Sequence, residues 1–558
     1  MTIASYLAKS GYSVCLAEAR LEIGGCMDFS EAKAGCVIQP HAIVSYANAA
    51  PGMDQLDLWK FGLRVVPFKG PFVLVTSDDR AVLAPQYQDP TLARRSMEIL
   101  NEWSSHDSQV WDAMFTGMFP HFKGVLRSMF YVPPWPLDLE YEPEDLPWFQ
   151  QLNKVMPGMF QKDWLELSLI EIIENLLECQ PMKAFLMYQC YYQGIAPHWR
   201  GMAIPSLGAC FAVFHSHCTF AGGMHMYAHA LFRSAVHHGA RVLCNAPVEE
   251  IIVRDNRAVG VRLADNAQYK EKVIMANKAV ISAVDTQQTF LKMVGHDHLD
   301  RSFKQRVADI DIRAGAIHYS HIIAKDYPRL KGEAGKLMSE FALPPAAYAY
   351  PMDSTQTWWE YIREVEGLRI TPHFGPKQAG AGFMNLTAFD PTLAPKGYTI
   401  LGGFQTNPPP PEYHVGGPDA VAFEGKQNYD NMIKDMVCEM APNMKGAMEF
   451  LSNTPLDSQF RNAGLAGAAW CGPTETADQW WSNRPLPELS RYRAPIDGLY
   501  LCHQSQYPGG LCMMAVGYNL MHILIDDGLV EPKSWWYPSP WHIKDGAERP
   551  PRIEDIKI

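Results

Sequence analysis

The stretch Gly498–Asn519, GLYLCHQSQYPGGLCMMAVGYN, constrains the chain more than any other segment. Leu499-Tyr500-Leu501-Cys502 is apolar without alternation, the pattern of a strand buried on both faces. It runs into Tyr507-Pro508-Gly509-Gly510 and then into small residues that open a helix around Gly517 and Asn519. Gly509 and Gly510 let backbone approach a flat ligand with no Cβ in the way. The helix start behind them would aim unpaired N–H groups at negative charge. This order makes a cofactor cradle. An ordinary strand–turn–helix has the same outline, and the rest of the chain separates the two.

Two further segments belong with this one. Ile3–Gly11 reads as a helix stopped by glycine, followed by the buried strand Ser13–Ala17, which ends on Glu18. A carboxylate at a strand end is placed to accept both hydroxyls of an adenosine ribose. Arg20 and Gly24-Gly25 follow, giving E-A-R-x-x-x-G-G. The second segment is Gly222-Gly223-Met224, a helix through Ala228, Leu231 and Ala235, then Gly239-Ala240-Arg241-Val242-Leu243 and Val248. Behind it, Ala258–Leu263 and Lys278–Ala283 are strand-like runs, the latter closing on Ser282-Ala283.

These blocks resemble the FAD-dependent phytoene desaturase-like oxidoreductases, a family of carotenoid desaturases, carotenoid isomerases and related flavoproteins. The resemblance runs through E-A-R-x-x-x-G-G, G-G-M with G-A-x-V, and R-Y-R-x-P-I-x-G-L-Y-L-C with Y-P-G-G. Asp478-Gln479 and Arg484-Pro485 are similar as well. The blocks and their surroundings cover roughly half the chain, and three in order are far more specific than one.

The resemblance implies an α/β fold: a discontinuous FAD-binding Rossmann-like domain of residues 1–75, 205–300 and 460–535. A mixed α+β substrate domain of 76–204 and 301–459 and a tail of 536–558 complete it. FAD is the implied cofactor, contacted by Glu18, Arg20, Gly24, Gly25, Val248, Ser282, Ala283, Gln504, Pro508, Gly509, Gly510, Gly517 and Asn519. His41, His503 and Tyr507 are the candidates for proton transfer or substrate placement. Two departures stand out. The family opens with a strand and a G-x-G-x-x-G turn, whereas Met1-Thr2-Ile3-Ala4 lines up just after its last glycine. The expectation is a start placed late rather than a functional truncation. His503-Gln504 also replace a glycine and a small residue near the flavin ribityl chain.

Composition agrees with such an enzyme. The 558 residues, 47% hydrophobic and 19% charged, suffice for two globular domains. A net charge of -12 without a basic stripe argues against nucleic acid. The twelve cysteines form no C-x-x-C pair, which points to reduced thiols in a cytoplasmic setting. No window approaches the ~18 continuous apolar residues of a membrane span. Gly-x-Ser-x-Gly is absent, against a nucleophile-elbow hydrolase.

Trp103–Trp199 is crowded with aromatic residues and Met, which predicts an apolar substrate channel, with peripheral membrane contact as a weaker inference. Tyr429, Met432, Ile433, Met436, Val437 and Met440 share one helical face, read as core. Pro408–Pro411 and Gly416–Pro418 mark an irregular loop. Cys210 and His215-Ser216-His217-Cys218 gather metal ligands. On a strand, however, His215 and His217 share one face and Cys218 takes the other, so no metal site is expected. His237-His238 reads as a solvated helix end.

The expected chemistry is dehydrogenation of a hydrophobic, isoprenoid or lipid-like substrate by hydride transfer to flavin N5. A redox-neutral double-bond isomerisation and a flavin-free scaffold subunit are the alternatives.

Overall fold

A computed structural model of the chain describes residues 1–556 apart from 69–71, 85, 86, 88, 192, 193, 196, 313–316, 341–346, 350–352, 367–380, 407–425, 455–471 and 512. The proline- and glycine-rich loop expected at 408–418 lies outside the described residues.

The two ends and the middle of the sequence meet in two parallel strand pairs. Strand β1 (Cys15–Ala17) pairs with β2 (Arg241–Leu243), Cys15 opposite Arg241. Strand β3 (Val280–Ser282) pairs with β4 (Leu499–Leu501), and all three residues of β4 are buried, as its unbroken apolar run requires. Among the described residues the two pairs are not hydrogen-bonded to each other.

Helix α1 (Thr2–Lys9) buries Ile3, Ala4, Tyr6 and Ala8 and ends at Gly11. It packs on α2 (His225–His237), where Ser5 Oγ donates to the Leu231 carbonyl at 2.9 Å. Helix α3 (Ala515–Asp526) lies against the start of α1: a Cβ on Gly517 would stand 2.8 Å from the Thr2 side chain. That glycine, expected at the cofactor, serves close helix packing. An antiparallel meander of Val248–Arg254, Arg257–Leu263 and Val273–Met275 lies between β2 and β3 in the chain.

The second unit is a seven-stranded mixed sheet in the order 448–454, 317–324, 399–406, 381–385, 347–349, 72–75, 81–84. Helix Lys426–Met440 covers it with Ile433, Met436, Val437 and Met440, all buried against Val73, Leu83 and Ile322. Strand Phe72–Val75, expected in the FAD-binding domain, pairs with 81–84 and 347–349 of this sheet. Helix Ala203–Phe211 packs on Phe122–Phe130, Leu169–Leu176 and Gln180–Tyr191, so the expected boundary at 205 falls within it.

The aromatic residues of 103–199 are largely buried in mutual contact, for example Trp111 against Phe115 at 4.2 Å between ring centres. Where a channel was expected, these described side chains form core.

His215 and His217 also depart from expectation. Residues Ala212–Ser216 form a wide helical turn, not a strand. His217 stacks on Phe68 at 4.1 Å, while His215 meets Tyr87 edge-on. Burial lowers both imidazoles to about 3. The tail is docked: Trp541 is buried, its carbonyl accepts from Trp135 Nε1 at 3.0 Å, and the Tyr537 carbonyl accepts from Gln55 Nε2 at 2.8 Å. No helix among the described residues is long and apolar enough to cross a membrane.

Candidate functional site

The carboxyl ends of parallel strands are where α/β sheets bind ligands, and the candidate residues lie at the ends of β1 and of β3 and β4. Glu18 follows β1 and Cys502 follows β4. Glu18 is fixed to the neighbouring strand: its N–H donates to the Leu243 carbonyl and its carbonyl accepts from Ala246 N–H, both at 2.8 Å. Its Oε1 accepts from the Arg20 N–H at 2.9 Å. One such bond leaves most of a carboxylate's acceptor capacity for ribose hydroxyls. Val248 lies close by, packed with Ala246, Leu243 and Ala17.

Arg20 closes the loop after Glu18. Its Nη1 donates to the Gly25 carbonyl at 3.1 Å and its Nη2 to Asp28 Oδ2 at 3.2 Å. Gly25 has φ +56° and open space where a Cβ would stand, whereas a Cβ on Gly24 would meet the Met27 carbonyl at 2.9 Å. Gly24 is therefore a packing residue, and Gly25 leaves room for a ligand. Asp28 continues the chain of contacts to His41, whose Nδ1 lies 2.8 Å from Asp28 Oδ1. Burial pushes the Asp28 carboxyl up, but the bond to His41 and the charges of His41 and Arg20 outweigh it and hold the group below the ordinary aspartate range. His41 Nε2 is buried without a hydrogen-bond partner among the described residues. Such an atom is costly unless a ligand meets it.

A second cluster sits at the ends of β3 and β4. His503 Nδ1 accepts from the Ser505 N–H at 3.1 Å and meets Ser505 Oγ at 2.9 Å, which leaves the ring proton on Nε2. Burial lowers this histidine to about 4, with Asp285 opposing. His503, Gln504, Ser505, Asp285 and Thr286 line a small, shallow cleft. Ser282, next to Ala283, spends its hydroxyl on Thr289 Oγ1 at 2.7 Å, so its side chain is committed inside the protein.

The turn after Tyr507 and Pro508 has a different cause from the expected one. Gly509 takes φ +99°, and a Cβ there would stand 2.5 Å from Glu475 Oε1 and 3.1 Å from Arg484 Nη2. The glycine yields to a buried acid rather than to a flat ring. Gly510 beside it is half-buried. Arg484 lies wholly inside the protein, donating to the carbonyls of Pro473 at 3.2 Å, Gln479 at 3.3 Å and Gln504 at 3.1 Å. Its Nη2 is 3.8 Å from Glu475, whose carboxyl burial raises to about 7 while Arg484 pulls it down. Arg484-Pro485 was noticed in sequence; Glu475, in an irregular stretch, carried no signal.

Two expected site residues hold structure instead. Tyr507 donates its hydroxyl to the Met129 carbonyl, with its ring edge-on to Trp480 and Trp481 at 5.3 and 5.1 Å. Its proton is bound to a carbonyl and burial raises its pKa well above the ordinary value. Asn519 Nδ2 donates to the carbonyls of Phe130 at 3.1 Å and Val132 at 3.3 Å, tying α3 to the helical layer.

A profile of the GMC oxidoreductase family matches residues 205–291. Pyridine nucleotide-disulfide oxidoreductase domain-containing protein 2 of Mus musculus is 26% identical over 373 residues, 64% of this chain and 60% of that protein. Prolycopene isomerase 2 of an Oncidium hybrid cultivar is 23% identical over 302 residues, 52% of this chain and 45% of that one. The chain thus spans three fifths or less of the length of these relatives. A solved oxidoreductase from Methanosarcina mazei superposes with a TM-score of 0.54 at 12% identity, covering 94% of this chain and 97% of that one. The fold is the Rossmann-like α/β fold of FAD-binding oxidoreductases, and FAD is the cofactor these likenesses support. Glu18, the open position at Gly25 and the partnerless His41 Nε2 fit such a ligand.

Proposed function

We propose that this chain, which resembles the phytoene desaturase-like flavoproteins, is an FAD-dependent oxidoreductase that dehydrogenates a hydrophobic, isoprenoid or lipid-like substrate. One observation carries the proposal: segments far apart in sequence meet in the parallel pairs β1–β2 and β3–β4, and Glu18, at the end of β1, is held by the neighbouring strand with its carboxylate accepting from the Arg20 N–H. When bound, FAD supplies a two-electron acceptor for hydride from a substrate C–H.

Glu18 would accept the ribose hydroxyls, and Arg20 holds the 18–28 loop in the shape that presents it. Asp28 accepts from His41 Nδ1–H, so in the neutral ring the lone pair lies on Nε2, the atom that would take a proton. His503 presents the opposite tautomer and stays neutral through burial, a hydrogen-bond donor rather than a base.

The test is anaerobic. Purified protein loaded with FAD is mixed with candidate polyenes and sterically similar saturated lipids, and flavin absorbance is followed. Bleaching by an apolar substrate, with the more unsaturated product recovered in equal amount, supports dehydrogenation. Bleaching by small polar amines alone would overturn the substrate class. The likeness to a prolycopene isomerase favours a second use of the same site, double-bond isomerisation. Product formed without net consumption of an electron acceptor identifies it.

A further inference from the structure

Two histidines one turn apart on α2, His225 and His229, meet a single carboxylate of the E-A-R-x-x-x-G-G loop. His225 Nε2 is 2.8 Å and His229 Nε2 3.0 Å from the same oxygen, Glu22 Oε1. His225 Nδ1 lies 2.7 Å from the Met27 carbonyl. A carbonyl only accepts, so Nδ1 carries the hydrogen, and a neutral His225 then turns a lone pair toward the carboxylate. Two lone pairs at 2.8 Å repel. A positive charge has to lie between them, either a proton or a cation.

The donor set favours the cation. Histidines at i and i+4 share a helix face, and with a carboxylate they make the three-ligand set of a zinc-type site. The Nδ1–H bond to a backbone carbonyl is the outer contact that orients a metal-bound imidazole. The three ligand atoms all lie within 4.8 Å of one another. Bonds of about 2.0–2.1 Å set tetrahedral edges near 3.3 Å, so binding takes small side-chain adjustments at the exposed Glu22 and the half-buried His229.

We propose that Glu22, His225 and His229 bind a divalent transition-metal ion of the zinc type, with water completing a tetrahedron on the exposed side. The ion is structural. It staples the loop that carries Arg20, Gly24 and Gly25 to α2, and a Cβ on Gly24 would stand only 3.3 Å from His225 Nδ1. It lies outside the proposed reaction and does not depend on the flavin.

The experiment titrates chelator-stripped full-length protein with zinc by calorimetry and with cobalt(II) by visible absorption. One equivalent should bind, tetrahedral cobalt bands should appear, and zinc should raise the unfolding temperature. His229→Gln and Glu22→Gln, both at exposed or half-buried positions, should weaken zinc at least about 10-fold and abolish the thermal shift. His237→Ala/His238→Ala, at the far end of α2, should bind as the parent does. Equal zinc affinity in the parent and His229→Gln overturns the proposal, as does loss confined to the His237/His238 variant. Absence of stoichiometric binding to the parent also overturns it, since a protonated His225 would then account for the contacts.

Discussion

A carboxyl group shut away from water with one guanidinium 3.8 Å off prefers its neutral form, and Glu475 is held at about 7, above the ordinary glutamate value of 4.5. The folded protein therefore binds more protons than the unfolded chain between about pH 4.5 and 7, and stability falls as pH rises through that window. Glu475→Gln copies the neutral acid while Arg484 keeps its three carbonyls. Denaturant unfolding of both proteins across pH 4.5–7 should show the parent losing stability relative to the variant as pH rises. A pH-independent difference would contradict this. Asp28→Asn should spare flavin content but lower turnover by about 100-fold, because His41 loses the partner that fixes its tautomer. Unchanged turnover would remove His41 as the base. The sequence marked His41 but not Asp28, since a partner thirteen residues away in an irregular loop leaves no periodic trace. The same holds for Glu22 with His225 and His229, which the sequence did not mark: the carboxylate comes from 203 residues away along the chain.

At the scale of elements, the Tyr507–Gly510 turn was legible as a turn and misread as to its cause. Pro508 and two glycines announce the bend, but only the structure shows Glu475 where a Cβ would go. Gly509→Ala must adopt φ near +99° and displace that acid. The backbone strain alone costs about 1–3 kcal/mol. Thermal unfolding should drop accordingly, and flavin content should fall as the turn shifts; parent-like values for both would remove the turn from the site. Strands β1 to β4 were each visible as short apolar runs. Their pairing was not, because Val280–Ser282 meets Leu499–Leu501 across more than 200 residues and nothing local encodes a parallel partner. His215 and His217 were placed on a strand because their neighbours are apolar on every side, which removes the period that separates helix from strand.

The segment after residue 535 docks on the rest of the molecule. The tail looked separable in sequence, yet Trp541 is buried and the segment bonds to Gln55, Trp135 and Gln150, from three parts of the chain. Trp541→Ala should cost about 3–5 kcal/mol, read by denaturant unfolding, and a cost near zero would mean that the tail is detached in solution. Domain boundaries were legible only coarsely, since strand Phe72–Val75 and helix Ala203–Phe211 have the composition of either unit and are claimed by their partners. The central claim is that the strand ends bind FAD through Glu18. Equilibrium titration of the purified protein and of Glu18→Ala with FAD, read by flavin fluorescence and absorbance, tests it most directly. Losing a charged hydrogen-bond partner should weaken FAD by about 1.5–3 kcal/mol, roughly 10- to 150-fold, with folding intact by circular dichroism. A folded Glu18→Ala that binds FAD as tightly as the parent, or a parent that takes up no FAD, would contradict the account.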